Sequence, residues 1–137
     1  MEKTSRNLIR VKVILRAAAF VEVGYFTASH WFFHQRFFNW LGIDGPDLNS
    51  PFVVSQLRLI GALVLGFAAL GWIAASDPRR HRAVIQVLLL TGSACVMIFV
   101  SSVITGALPP QFLLNAMLLA LPILLVTVLY PWKGDER

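Results

Sequence analysis

The 137 residues are 57% hydrophobic and only 14% charged, with a mean hydropathy of +0.70. A soluble domain carries roughly 25% charged residues, so most of this surface must face something other than water. The net charge of +5 does not point to nucleic acid, because no basic face with a docking element can be drawn and basic residues in so apolar a chain flank membrane spans.

A membrane helix needs about 20 mostly apolar residues, and four stretches qualify, making residues 1–137 one integral membrane domain. The first span runs from about Val11 to Phe33, behind a basic segment with Lys3, Arg6, Arg10 and Lys12. Arg16 and Glu22 interrupt what would be the apolar region of a signal peptide, so this is read as an uncleaved span. Beyond it, Phe33, Phe37, Trp40 and Leu41 fall on one helical face. This predicts a short amphipathic interfacial helix, with Trp40 at the level of the headgroups. The run from Gly42 to Asp47 reads as a turn.

The second span, Phe52 to Ala75, stops at Ser76-Asp77-Pro78. The third, Ala83 to Thr105, ends at Gly106 and the pair Pro109-Pro110. The fourth covers Gln111 to Tyr130 and stops at Pro131-Trp132. No charge lies between Ala83 and Tyr130, whereas a helix of a soluble bundle would keep a polar stripe. The expected fold is therefore all-α, a membrane four-helix bundle. Lys3, Arg6, Arg10, Lys12, Arg79, Arg80, Arg82, Lys133 and Arg137 share one side, against Arg36 alone on the other. That bias places both termini in the cytoplasm.

Ionisable groups within spans are costly and mark function by default. Glu22 in span one and Arg58 in span two fall at similar depths, ~13 Å and ~10 Å below the outer ends Trp31 and Pro51, at 1.5 Å per residue. Small residues at helical spacing (Ala18 and Ala19; Gly61, Ala62 and Gly66) turn each toward protein. A Glu22–Arg58 ion pair is expected, either fixing helix register or lining a polar pocket. Gln56, Ser101, Ser102, Gln111 and Asn115 would add to such a pocket on the outer side. Each alone also fits an interhelical hydrogen bond.

His30 and His34 have a spacing that lets two imidazoles share a metal, but a site needs further ligands, for which only Asp44 or Asp47 is at hand. No metal is therefore expected. No histidines face each other at depth for haem, and neither a nucleophile–base arrangement nor a glycine-rich phosphate loop occurs. No cofactor and no enzymatic activity are expected. Cys95 has no partner for an intrachain disulfide and reads as a packing residue. Gly61, Gly66 and Gly71 read as packing positions and Pro122 as a static kink.

Leu41-Gly42-Ile43, Pro46, Arg58-Leu59-Ile60-Gly61-Ala62, Gly66 and the loop Asp77-Pro78-Arg79-Arg80-His81-Arg82 resemble the BphX-like small four-helix membrane proteins of bacteria. The resemblance covers about residues 30–105. It implies a bacterial inner-membrane protein, sometimes associated with aromatic-degradation gene clusters, and carries no catalytic residues. Ala19 to Gly24 also resembles the context of the single glutamate in small multidrug transporters, which binds cations and protons. An arginine paired with Glu22 and the long outer loop depart from that pattern.

The expected role is thus a non-enzymatic accessory module or a binder of lipid or a small apolar molecule. The alternative is a proton-coupled small-molecule transporter using Glu22. The expected partners are the lipid bilayer and a homo-oligomer or larger membrane complex, with no nucleic acid.

Overall fold

In the computed structural model, which describes residues 2–43 and 46–132, every regular element is helical. The first helical path runs through α1 (Glu2–Val21), a π-helical stretch (Glu22–Thr27) and α2 (Ala28–Phe32). A break at Phe33 (φ −125°, ψ 19°) separates α2 from the short α3 (His34–Trp40). After a 3-10 turn, Pro46–Asn49, come α4 (Pro51–Ser76), α5 (Arg82–Ile104) and α6 (Phe112–Leu129).

The boundaries have local causes. The Ser50 hydroxyl accepts from the Val53 amide at 3.3 Å, and Pro51 follows at the first helical position, where its missing N–H costs nothing. The α4–α5 connection is an Asx turn, with Asp77 Oδ1 accepting from the amides of Arg79 and Arg80 at 3.2 and 3.3 Å. Two helices end in Schellman motifs on glycines in the left-handed region. After α3, Gly42 (φ +83°) donates to Asn39 O at 3.0 Å and Ile43 to Phe38 O at 2.9 Å. After α5, Gly106 (φ +74°) donates to Val103 O at 3.1 Å and Ala107 to Ser102 O at 2.8 Å. A side chain would be strained at either glycine.

α4, α5 and α6 are each long and apolar enough to cross a membrane. Their outward faces carry bare apolar side chains; Leu90, Met97, Ile104 and Val128 are 72–79% exposed. So much outward apolar surface suits lipid and not water. The first path packs along α4 and against α6, α6 packs on α5, and α5 returns to α4. At the basic end, Val11, Leu15, Ala74, Ala75, Ile85, Val126 and Tyr130 form one buried cluster. The Tyr130 hydroxyl donates to the carbonyl of buried Pro78 at 2.9 Å and ties the α4–α5 turn to the end of α6.

The four aromatic and apolar residues after span one do not share a face. The break at Phe33 ends the helical register there, and α3 folds back across the end of the helices. Phe37 and Leu41 are buried with Phe112, whereas Phe33 and Trp40 remain more than half exposed. The short helix is present, with its apolar side turned to protein.

Candidate functional site

The interior between the helical walls is not filled. A cavity of ≈ 330 Å³ is lined by α1, the π stretch, α2, α4, α5 and α6, and it is partly open on the α4 side, where Ile60 and Leu63 are exposed. Its wall is almost wholly apolar, with Leu63 and Phe67 from α4, Phe99 from α5 and Ile123 from α6. Pro122 also lines it. The polar groups in the wall are few: the Glu22 carboxyl, the His30 imidazole, the Thr91 hydroxyl and the Cys95 thiol.

Glu22 is the first residue of the π-helical stretch. Such widened turns are rare and occur often at functional sites. At the far end of this stretch the Ser29 hydroxyl donates to Tyr25 O, and His30 Nδ1 lies 2.7 Å from Phe26 O. A carbonyl only accepts, so Nδ1 carries the hydrogen and Nε2 is left for another partner. Glu22, Phe26 and His30 recur at four-residue steps, and all three line the cavity. Edge-on Phe38 and tilted Phe37 cover the imidazole at 5.7 and 5.8 Å, so α3 closes this end.

Arg58 is not part of this arrangement. Among the described residues, Glu22 makes no ion pair or hydrogen bond, and Arg58 is exposed and away from the cavity wall. The expected ion pair fails for reasons of register. Trp31 Nε1 donates to the backbone carbonyl of Arg58 at 2.9 Å, Thr27 Oγ1 donates to Gly61 O at 3.3 Å, and Arg16 lies over Trp72. Glu22 is therefore level with about Gly66, some two turns or ~12 Å from Arg58 at 1.5 Å per residue. The first path and α4 do not end level: α4 starts at Pro51, about two turns beyond the Trp31 contact at Arg58. A Glu22→Gln, Arg58→Ala double-mutant cycle in detergent is accordingly expected to show coupling below ~0.5 kcal/mol; larger coupling would restore the pair.

The other expected pocket residues scatter. Gln56 and Ser101 are exposed, the latter donating to its own turn at Ile98 O, 3.1 Å away. Ser102 gives its carbonyl to the end of α5, and exposed Gln111 begins α6 beside Gly42. Asn115 is buried (2% exposed) and accepts from the Tyr25 hydroxyl at 3.1 Å. It serves as an interhelical contact outside the cavity. Cys95, which the sequence reads as a packing residue, lines the cavity with Thr91, and Gly92, Cys95 and Phe99 recur at helical spacing along one face.

The break at Phe33 also separates the turns that carry His30 and His34. Among the described residues, His34 Nδ1 is buried without a hydrogen-bond partner. Asp44 and the side chain of Asp47 lie outside the described residues. Among the described residues, no group of three or more His, Cys, Asp or Glu side chains could hold a metal. No protein-family model matches the chain, and neither a curated protein nor a solved structure matches it.

Proposed function

We propose that the chain is a four-crossing protein of the bacterial inner membrane, with cytoplasmic termini, that holds a small apolar molecule in the interior cavity. The fourth crossing is the path through α1, the π stretch and α2; apart from Glu22, Thr27, Ser29 and His30 its second half is mostly apolar, and it packs along α4. The basic residues gathered at one end support the orientation. Membership of the BphX-like group belongs to this proposal. Two residues of that resemblance have structural work in this chain, Gly42 at a positive φ and Gly61 beneath the Trp31 indole.

The observation that carries the binding role is the cavity itself. A volume of ≈ 330 Å³ lies within the range of about 300–1,000 Å³ seen for small-molecule sites, which also combine apolar walls with a few polar groups. An isolated carboxyl in such a wall is expensive, and a hydrogen-bond donor on the occupant would satisfy Glu22. Native mass spectrometry of the protein released from its own membrane tests this. Wild type is expected to retain a small apolar adduct, lost in Cys95→Phe, where the ring fills the cavity, and weakened in Glu22→Gln. An adduct of equal abundance in all three, or none in wild type, would contradict the role.

A second reading, proton-coupled transport through Glu22, gains from the position of Arg58. With no guanidinium beside the carboxyl, the electrostatic objection to a cationic substrate disappears. Substrate-driven proton flux in proteoliposomes, abolished by Glu22→Gln, would favour transport over simple binding.

A further inference from the structure

Outside the interior cavity, α1 with the start of the π stretch and α4 border a second, open hollow of ≈ 320 Å³. The small residues Ala19, Gly24, Ala68 and Ala69 line it, and Phe20 and Trp72 stand beside it. Those two aromatics are 76% and 53% exposed, so the groove opens sideways, where hydrocarbon stands. Small residues alone would fit many occupants. The charge at the basic end of the groove narrows the choice.

Arg16, Phe20 and Val23 succeed one another at helical spacing, so Arg16 continues the groove face by one turn, and Lys12 follows a turn further on. The Arg16 guanidinium lies 5.5 Å from the centroid of the Trp72 ring. Among the described residues no carboxylate pairs with it. Arginine is always charged and presents a planar fork suited to phosphate oxygens. Tryptophan favours the membrane–water boundary, which sets the level of this cation at the headgroups. An apolar trough with a fixed cation at its boundary end matches a lipid with an acyl chain and a negative headgroup.

We propose that the α1–α4 groove is a binding site for one anionic phospholipid, its phosphate on Arg16 and one acyl chain along Ala19, Gly24 and Ala69. The site rests on the reading that both helices cross the bilayer but is independent of the interior cavity, so Cys95→Phe should leave it intact. The full chain in detergent is titrated with phosphatidylglycerol or zwitterionic phosphatidylcholine and examined by native mass spectrometry. Phosphatidylglycerol is expected to be retained ~5-fold better, as one basic residue near a membrane surface contributes about 1 kcal/mol. Arg16→Gln should erase that preference. Ala69→Phe, on an exposed position that leaves the core untouched, should reduce retention of both lipids.

Equal retention of the two lipids by wild type overturns the proposal, as does a preference that survives Arg16→Gln. Displacement of phosphatidylglycerol by inorganic phosphate, with retention unchanged in Ala69→Phe, would mean an anion site and not a lipid site. An Ala69→Phe variant that changes only the dimer fraction would assign the groove to a second copy of the chain.

Discussion

Leu41→Ala is expected to lower the unfolding free energy by ~2–4 kcal/mol, in line with large-to-small changes at fully buried leucines. Leu41 is 0% exposed and packs with Phe37 and Phe112, flanked by Tyr25, Phe99 and Val103. The cluster is the main attachment of α3 to the ends of α5 and α6. Its loss should free α3 and uncover the His30 side of the cavity. Hydrogen exchange should therefore quicken across residues 34–40 while α5 and α6 keep their protection. An unchanged melting temperature in detergent would show that α3 is not held this way.

Gly61→Ala is expected to destabilise by ~1–3 kcal/mol through overpacking, although alanine favours an isolated helix by about 1 kcal/mol over glycine. A methyl group here would collide with the Trp31 indole. That indole is fixed by its bond to Arg58 O, and Thr27 bonds Gly61 O itself. The first helical path therefore grips the backbone of α4 directly, and the grip sets the register that puts Glu22 in the cavity. In a Trp31→Ala background the same substitution should be neutral or stabilising in thermal unfolding. An equal loss in both backgrounds would refute the contact as its cause.

These two sites also show what the sequence made legible. The turn at Gly42, the end at Gly106 and the stop before Pro78 could be read because glycine and proline restrict the backbone wherever they occur. Gly61 was recognisable as a close-approach position because only small residues permit one. The partner it approaches was not recognisable, since no pattern tells how far α4 extends beyond the end of α2. That one offset moved Arg58 away from Glu22 and dissolved the expected polar pocket.

The π-helical turn leaves no signal in the sequence, because it redistributes backbone hydrogen bonds without requiring particular side chains. The break at Phe33 was hidden for a similar reason: the aromatic run around it suits a helix. Glu22 stood out because a carboxyl in an apolar span is expensive. The sequence spacing offers His30 for metal ligation, while the structure places it two turns from Glu22 on the same cavity wall. Cys95 reads as packing in the sequence because an isolated thiol in a helix carries no sign of empty space beside it.

Xenon-pressurised crystals of the full chain test the central claim, an occupiable apolar cavity between the helices, most directly. Apolar cavities remain dry and accept xenon without needing polar contacts. The account predicts an ordered xenon site bounded by Leu63, Cys95 and Ile123 in wild type, absent in Cys95→Phe crystals of the same form. An empty wild-type interior, or a xenon site unaffected by the phenylalanine, would contradict it.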